Sequence, residues 1–508
     1  MALQDINEIG SGDEGKDLYH FQEKAISEIT QRISNSEEDY NLLYQLPTGG
    51  GKTVIFSEIT RRYIQATGKK VLILTHRVEL CHQTSDMLSS FGVTNMIISS
   101  KIKEVKDDND YMCFVAMVET LNNRLQEEKV TMKNVGLVII DEAHYNSFRK
   151  LFKYFKKVQI LGVTATPLSS NIKLPMKDNY NDLNVVESIN TLKEKGFLAK
   201  ATNYSYNLKQ DSLKIGMNGD YTVKSSEKLY GNLDMLEKLL HAYEEQSMNK
   251  KTLIFNNGIE TSYRVYDTFK EAGYDVRHLD HTAKEQDRRT ILKWFKETPN
   301  AILTSVGILT TGFDEPTVET VILNRATKSL TLYHQMIGRG SRVLPNKKEF
   351  SIIDLGNNLH RFGLWNSEVD WYHIFHAPHQ YYESLQSDEN IERQFKYEMP
   401  TSLLKKFKNT PNVKFDVQAE YEKISKKALP SKLVIEKSIE QHAQMCIENS
   451  DDMWDALALA KELGDDIDDR IRRYSYCITN GTKNYINWLQ EDYRRKLKSK
   501  IRQEMPVE

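Results

Sequence analysis

Short apolar runs alternate with longer segments of mixed polarity along most of the chain. The runs lie at 71–75, 96–99, 111–117, 135–140 and 159–164 in the first half, and at 252–257, 274–280, 300–306, 320–324 and 350–355 in the second. Runs of this length are typical of strands that are buried on both faces, and the helical text between them favours parallel sheets covered by helices. The pattern therefore predicts two α/β lobes.

The alternation weakens between about residues 168 and 245, and it ends near residue 366. From there to the C-terminus the apolar positions follow helical spacing. A chain of 508 residues is too long for a single hydrophobic core. We predict a first lobe over 1–195, a connection over 196–245, a second lobe over 246–365 and a mainly helical accessory domain over 366–508.

The segment NLLYQLPTGGGKT at 41–53 predicts a short strand, a glycine loop and the start of a helix. Consecutive glycines let the backbone turn tightly, so that its N–H groups can point at phosphate oxygens beside the positive end of the helix. Lys52 can reach the β- and γ-phosphates, and the Thr53 hydroxyl can ligate Mg²⁺. The loop predicts a site for ATP and Mg²⁺, with nucleotide contacts from Thr48, Gly49, Gly50, Gly51, Lys52 and Thr53.

Two carboxylates, Asp141 and Glu142, follow an apolar run in the sequence VGLVIIDEAH. Ligands of parallel sheets bind at the carboxyl ends of the strands. We expect Asp141 to hold Mg²⁺ and Glu142 to orient and deprotonate the attacking water. Acidic residues also end strands as helix caps, and the phosphate loop upstream is what favours the catalytic interpretation.

Further motifs occur in a fixed order along the chain: THRVEL at 75–80 with Gln83, ETL at 119–121 with Arg124, TATP at 164–167, LTTGFDEP at 309–316 and QMIGRGSR at 335–342. With the two motifs above, they make about residues 15–360 resemble superfamily 2 helicases of the DEAH/DExH kind. The text is most similar to RadD-type bacterial DNA-repair helicases and to the motor subunits of restriction enzymes. The resemblance implies two tandem RecA-like lobes that hydrolyse ATP and move along nucleic acid.

Two arginines in QMIGRGSR, Arg339 and Arg342, are implied by the resemblance to be arginine fingers that reach the γ-phosphate from the second lobe. A planar guanidinium suits the charge that spreads over that phosphate in the transition state. Gln335 of the same motif is implied to be a catalytic residue as well. The residues implied to couple the nucleotide to lobe movement are His144, Thr164 and Thr166.

The remaining implied roles concern the adenosine end of ATP and the nucleic acid. Gln22 stands at the adenine-reading position, with Tyr19 where the family usually has arginine. Gly312 and Asp314 would approach the ribose or link the nucleotide to lobe movement. The residues implied to grip the phosphate backbone, independently of base sequence, are Thr75, Arg77, Thr120, Arg124, Thr310 and Thr311.

The formal net charge of −2 neither supports nor excludes nucleic-acid binding, because a motor needs only a local basic track. On the resemblance we expect single-stranded or branched DNA rather than RNA as the partner, and a part in repair, recombination or phage defence. Three alternatives stay open: a translocase that remodels duplex DNA without separating its strands, an RNA helicase, and an ATP switch with little turnover that recruits a protein through 366–508.

The basic C-terminal stretch YRRKLKSKIRQ at 493–503 could contact nucleic acid or another protein. Its charges could equally pair with the acidic block at 465–469. The resemblance would add a zinc-binding cysteine cluster near the C-terminus, but only Cys446 and Cys477 lie there and no C-x-x-C pair occurs. We therefore expect no zinc.

No apolar run approaches the roughly 18 residues that a membrane-spanning helix needs. The acidic N-terminal segment MALQDINEIGSGDEGKD lacks the basic start and apolar stretch of a secretory signal. We expect a cytoplasmic protein without a membrane partner.

Overall fold

The structure of the protein is a computed structural model that describes residues 18–505 except 100, 102–104, 106–109, 131–132, 207, 209, 211, 311, 389–390, 392–398 and 479–482. Contacts divide the chain into one compact unit over Met1–Leu385 and a second over Gln386–Glu508. The first unit holds two parallel sheets, and the second is helical. The predicted fold class, two RecA-like α/β lobes with a helical C-terminal region, is confirmed.

The sheet of the first lobe has seven strands: β1 (Asn41–Gln45), β2 (Lys70–Thr75), β3 (Asn95–Ile98), β4 (Cys113–Met117), β5 (Val135–Asp141), β6 (Gln159–Thr164) and β7 (Asp182–Val185). All are parallel, in the spatial order β3-β4-β2-β5-β6-β1-β7. The central strands are buried along nearly their whole length, which is why the sequence shows continuous apolar runs rather than an alternating pattern.

Helices cover this sheet: α1 (His20–Ser34), α2 (Lys52–Thr67), α3 (Val78–Ser90), α4 (Val118–Gln126) and α5 (Ile189–Glu194). Two 3₁₀ segments, Asn146–Tyr154 and Met176–Asp178, complete the lobe. The face of α1 that carries Phe21, Ala25, Ile26 and Ile29 is buried, as the spacing of these apolar positions predicts. Because α1 packs on α2, it lies beside the loop that precedes α2.

The second sheet has six parallel strands: β8 (Lys200–Ser205), β9 (Thr252–Asn256), β10 (Val276–Leu279), β11 (Ile302–Val306), β12 (Thr320–Asn324) and β13 (Glu349–Asp354). Their spatial order is β10-β11-β9-β12-β13-β8. Part of the segment expected to connect the lobes, 196–245, is therefore built into the second lobe. The sequence KATNYS of β8 has no apolar run because this edge strand is only partly buried.

The helices of the second lobe and of the end of the first unit are α6 (Val223–Tyr230), α7 (Leu233–Ser247), α8 (Ile259–Glu271), α9 (Glu285–Glu297), α10 (Leu330–Ile337), α11 (Asn358–Phe362), α12 (Trp371–His376) and α13 (Pro378–Ser384). Ile374 and Phe375 of α12 are buried in the apolar clusters of the first unit. The first unit thus extends to Leu385 and includes the beginning of the segment 366–508, which the sequence pattern assigns to the accessory domain.

The second unit contains α14 (Thr401–Leu404), α15 (Val417–Lys426), α16 (Leu433–Glu448), α17 (Met453–Glu462), α18 (Gly464–Cys477) and α19 (Lys483–Glu504). Their apolar faces enclose one core, with Ile439, Ile471 and Leu497 among its buried members. Among the residues that the structure describes, no helix combines the length and the apolar character that crossing a membrane requires.

A buried polar cluster centred on His442 joins three helices of this second unit. The Nε2 of His442 lies 2.7 Å from Oδ2 of Asp466, and its Nδ1 lies 2.9 Å from the hydroxyl of Tyr493. That hydroxyl is also 2.9 Å from Oγ of Ser438. Burial, with a smaller effect of Arg470, lowers the pKa of His442 to about 4. The imidazole is therefore neutral at pH 7.

This cluster predicts an acid-sensitive C-terminal unit. The unfolded chain protonates His442 near pH 6.5 and the folded chain only near pH 4, so the stability contributed by the neutral ring is lost as the pH falls between these values. We expect a loss of about 2 kcal/mol by pH 5. This loss of stability is measured by hydrogen exchange of the backbone amides in 433–448 and 464–477, with the observed rates corrected for the intrinsic exchange rates.

The variant His442→Gln removes this titration, and no other histidine follows residue 386. Exchange in the variant should therefore depend much less on pH between 6.5 and 5. The same acid sensitivity in His442→Gln would assign the effect to another group.

Candidate active site between the lobes

Residues 46–51 form a tight loop between β1 and α2. Gly49 and Gly51 adopt left-handed backbone angles, with φ of 90° and 85°, which glycine tolerates without strain. A Cβ on Gly51 would lie 2.6 Å from Nε2 of Gln22, so the amide of Gln22 reaches the loop itself. Since α2 begins at Lys52, its positive end faces the space that the loop encloses.

The ammonium group of Lys52 has no anion in direct contact within the described residues. Its Nζ lies 3.4 Å from the carbonyl oxygen of Leu46, within the loop. Desolvation lowers the pKa of Lys52, while the charges of Glu142 and Asp141 act in the opposite direction. The loop thus holds a poorly solvated cation near two carboxylates, an arrangement that favours the binding of a polyanion.

The two carboxylates at the end of β5 have different protonation behaviour. Burial and the neighbouring Glu142 raise the pKa of Asp141 to about 7, against the effect of Lys52. Burial also opposes ionisation of Glu142, but Lys52 and His144 outweigh it, so the pKa of Glu142 is lowered. As the pH rises, Glu142 is therefore the first of the two carboxylates to ionise. An added cation would favour the ionised form of both carboxylates.

Glu142 also has an unusual backbone conformation for a residue with a side chain. Its φ is 52°, and its N–H donates to Oδ1 of Asp141 at 3.0 Å. A left-handed non-glycine residue of this kind costs about 1–3 kcal/mol and is found most often at functional sites. Nδ1 of His144 lies 3.4 Å from Oε2 of Glu142, so the strained residue contacts the histidine of its own motif.

A chain of short polar contacts runs from His144 into the second lobe. Nδ1 of His144 lies 3.0 Å from Oγ1 of Thr164, and that hydroxyl donates to the carbonyl oxygen of Thr166 at 3.0 Å. The hydroxyl of Thr166 then donates to Oγ1 of Thr331 in α10 at 2.9 Å. Thr331 was not predicted, because only the fold places the start of α10 beside the TATP segment.

Tyr145 is a second residue that sequence reasoning missed, although it directly follows the DEAH motif. Its ring packs on His144 and His76, with centroid distances of 4.4 Å and 4.1 Å. Its hydroxyl faces the side chain of Gln335 in the second lobe. Burial raises the pKa of Tyr145 to about 12, so the hydroxyl stays protonated. Gln335 of the second lobe thus lies beside the residue that follows the DEAH motif.

The two predicted arginine fingers lie on the second-lobe side of the same site. Arg339 is buried and donates to the carbonyl oxygens of Thr310, at 2.6 Å, and Phe313. Burial and the nearby Arg342 lower the pKa of Arg339 to about 9, while Glu142 acts in the opposite direction. Arg342 pairs through Nε with Oδ1 of Asp314 at 2.6 Å. Both guanidinium groups are thus held by the LTTGFDEP segment.

Aromatic rings lie beside Gln22, at the predicted adenine end of the site. Phe197 packs against Tyr19 and Phe21, with centroid distances of 4.5 Å and 4.9 Å. Oε1 of Gln22 accepts from the backbone N–H of Tyr19 at 3.0 Å. Tyr19, which replaces the family's arginine, is 55% exposed and therefore available for a further contact. Phe197 carries no motif and was not predicted.

The residues predicted to grip nucleic acid are in several different environments. Thr75 and Thr310 are buried, and their hydroxyls donate to the backbone carbonyls of Arg77 and Gly307. Thr120 is half-buried, and Arg124 lies 3.7 Å from Glu127. Thr311 lies outside the described residues.

Arg77 links the two lobes instead of pointing into open solvent. Its guanidinium donates to the carbonyl oxygens of Ile308 at 2.9 Å and Gly307 at 3.2 Å. Nearby, Nε2 of Gln83 donates to the carbonyl oxygen of Gly312 at 2.8 Å. These contacts place the THRVEL and LTTGFDEP motifs next to each other across the lobe boundary.

The basic stretch near the C-terminus is largely paired with acidic residues of its own unit. Arg494 lies 2.5 Å from Asp468, Lys496 lies 3.0 Å from Asp492, and Lys500 lies 3.0 Å from Glu440. Arg495 also pairs with Asp492. Of these four ion pairs, the one between Arg494 and Asp468 involves the acidic block at 465–469, whereas the partners of the other three cations lie outside that block.

Comparisons with known proteins agree with this geometry. The family described as "Type III restriction enzyme, res subunit" matches residues 15–169, and "Helicase conserved C-terminal domain" matches residues 231–343. The first match contains the phosphate loop and the DEAH motif, and the second contains both arginines.

Two curated relatives cover about two thirds of the chain. A Saccharomyces cerevisiae protein assigned as the ATP-dependent helicase IRC3 is 30% identical over 362 residues, which cover 66% of this chain and 51% of that protein. The ATP-dependent DNA helicase RecG of Aquifex aeolicus is 25% identical, over 64% of this chain and 40% of RecG. The chain thus spans about half the length of these relatives or less.

A solved structure shows the same fold. A fragment assigned as the HsdR subunit of a type I restriction enzyme from Vibrio vulnificus superimposes with a TM-score of 0.53 at 21% identity, covering 69% of this chain and 65% of the fragment. Two parallel-sheet lobes, ordered motifs on both sides of their cleft and these matches lead to one conclusion: the chain belongs to the superfamily 2 helicases.

Proposed function

We propose that this protein hydrolyses ATP in the cleft between its lobes and uses the energy to move along or remodel DNA. The observation that carries the proposal is the shared electrostatic environment of Lys52, Asp141, Glu142 and Arg339, whose charges act on one another across the cleft. A cation in a glycine loop, an ionised carboxylate and a guanidinium from the opposite lobe are the groups that phosphoryl transfer to water requires.

Glu142 is the base in this proposal. Its lowered pKa keeps it ionised at pH 7, so it can accept the proton of a water molecule that attacks the γ-phosphate. Its contact with His144 begins the chain of polar contacts that ends at Thr331 in the second lobe. These contacts connect Glu142 with the first turn of α10.

The oxygen donors of this site fit Mg²⁺. Thr53 and Asp141 offer a hydroxyl and a carboxylate, which are the ligand types that this ion prefers. The pKa of Asp141 is raised, so this carboxylate lacks a compensating charge that a cation would supply, and Oε2 of Glu142 accepts no hydrogen bond among the described residues. Bound Mg²⁺ would neutralise charge on the β- and γ-phosphates.

Arg339 and Arg342 connect the nucleotide to the nucleic-acid side of the second lobe. Arg339 holds the carbonyl oxygens of Thr310 and Phe313, and Arg342 holds Asp314. A γ-phosphate that attracts these guanidinium groups would compete with those contacts. ATP binding would in this way alter the segment whose Gly312 also contacts Gln83 of the first lobe and which directly follows the partners of Arg77.

DNA is the proposed substrate, because RecG is named as a DNA helicase and two further matches carry the names of restriction enzymes. The alternatives are an RNA helicase and an ATP switch that recruits a protein through its C-terminal region with little turnover. The ATPase rate with single-stranded DNA, forked DNA, duplex DNA and RNA distinguishes them. We expect one of the DNA substrates to stimulate the ATPase most strongly. Stronger stimulation by RNA would favour an RNA helicase. No stimulation by any of the four nucleic acids would favour the ATP switch.

Glu142→Gln should abolish ATP hydrolysis and preserve ATP binding, because the amide fills the same space but accepts no proton. Lys52→Ala should abolish hydrolysis and also bind ATP more weakly, since the phosphates then have no cation in the loop. Steady-state ATPase assays and equilibrium binding of a fluorescent ATP analogue measure the two effects. The exposed Glu297→Gln is the matched control. Normal turnover in Glu142→Gln would exclude Glu142 as the base.

Arg339→Ala should lower kcat for ATP by about 10³ while KM changes much less, because the contact strengthens mainly in the transition state. Arg339→Lys retains the charge but not the planar fork, and it should remain strongly impaired. Arg289→Ala, at an exposed arginine, is the control. A large rise in KM with kcat preserved would indicate a structural role for Arg339.

A further inference from the structure

Lys347 lies in a tight turn that closely follows the QMIGRGSR segment at 335–342. The N–H of Leu344 donates to the carbonyl oxygen of Lys347 at 3.0 Å, and the N–H of Lys347 donates back to the carbonyl oxygen of Leu344 at 3.0 Å. This pair of bonds reverses the chain over Pro345 and Asn346. The side chain of Lys347 therefore lies against the segment that precedes the turn.

The ammonium group of Lys347 is buried, and all of its hydrogens are used. Its Nζ donates to the carbonyl oxygens of Gly340 at 2.7 Å, Arg342 at 2.8 Å and Pro316 at 3.0 Å. A lysine ammonium has three N–H donors, so these three carbonyls occupy every one of them. The residue is only 6% exposed. Lys347 thus has no donor left for a phosphate, and its partners all belong to the protein.

The three bonds of Lys347 join two motifs of the second lobe. Gly340 and Arg342 belong to QMIGRGSR, whereas Pro316 is the last residue of LTTGFDEP. The side chains of Arg339 and Arg342 bridge the same two segments. A γ-phosphate can attract the two arginines, but it cannot replace the bonds of an ammonium that is buried and saturated by carbonyls. Lys347 is therefore the bridge that nucleotide binding leaves in place.

The charge of Lys347 is compensated by the carbonyl dipoles that surround it. Burial and the like charge of Arg342 lower the pKa of Lys347 to about 8, while Glu319 and Glu315 act in the opposite direction. The ammonium is therefore still mostly charged at pH 7, and its hydrogen bonds are of the stronger, charge-assisted kind. Removal of the ammonium would take a donor from three carbonyls in two segments at once.

We propose that Lys347 is a positioning residue that holds LTTGFDEP to QMIGRGSR while the two arginines engage the γ-phosphate of ATP. As the guanidinium groups turn toward the phosphate, their own contacts with LTTGFDEP weaken. The bonds of Lys347 then carry the connection from the arginines to the segment whose Gly312 contacts Gln83 of the first lobe. The proposal rests on the proposed function, because it requires a nucleotide site that is coupled to a nucleic-acid site.

The first test is the variant Lys347→Met in the full chain, which keeps the length and apolar stem of the side chain but removes its donors. The kcat for ATP in the presence of single-stranded DNA should fall by about tenfold or more, whereas KM for ATP should stay within about threefold, because Lys347 does not touch the nucleotide. Lys348→Met is the matched control, since Lys348 is the exposed neighbour in the same turn, and it should behave as wild type.

A second measurement separates positioning from a general loss of structure. The dissociation constant for single-stranded DNA is determined with and without a non-hydrolysable ATP analogue, and the ratio of the two constants is the coupling between the sites. This ratio should differ from one by about fivefold or more in wild type. In Lys347→Met it should approach one, while the affinity for DNA without nucleotide and the affinity for the analogue are retained.

A different variant covers the case in which Lys347→Met does not fold. Lys347→Arg keeps the positive charge but replaces the compact ammonium by a larger planar group, so it should still reduce the coupling ratio by about threefold.

Unchanged kcat and coupling in a folded variant would overturn the proposal, as would an equal loss of DNA affinity with and without the analogue. A wild-type ratio of one would also overturn it while leaving the motor intact. Wild-type protein without DNA-stimulated ATPase would instead refute the proposed function.

Discussion

The two-lobed unit depends on one constraint. Groups of opposite charge lie close together at the cleft, where water solvates them poorly. Lys52, Asp141 and Glu142 come from the first lobe, and Arg339 comes from the second. Each would be costly to bury alone, and each alters the pKa of its neighbours. The parallel sheets make this possible for the first lobe because the segments that carry Lys52, Asp141 and Glu142 follow the carboxyl ends of β1 and β5, whereas Arg339 follows the end of α10. The result is a site whose charge balance changes when a polyanion or a metal ion binds.

Two separate sets of contacts cross from one lobe to the other. One lies beside the nucleotide site and includes Thr166 with Thr331. The other lies between the THRVEL and LTTGFDEP segments and includes Arg77 with the carbonyl oxygen of Ile308. Arg339 touches Thr310 and so connects the two sets. Short polar contacts therefore link the two sets.

The distribution of charge changes the expectation for nucleic-acid contacts. The basic stretch at 493–503 is the most obvious candidate in the sequence, yet four of its cations pair with acidic residues of the same unit. Surface pairs of this kind contribute little stability, but they reduce the local positive field.

The sequence by itself determined the two-lobed fold class and the motifs of the site, because buried parallel strands require continuous apolar runs and phosphate binding requires glycines at defined positions. It could not show that β8 belongs to the second sheet, since an edge strand that is only partly buried needs no apolar run. Nor could it identify Thr331, Tyr145 or Phe197, whose contacts join residues far apart in the chain. Those contacts depend on how the lobes pack together, and the tertiary structure alone decided them.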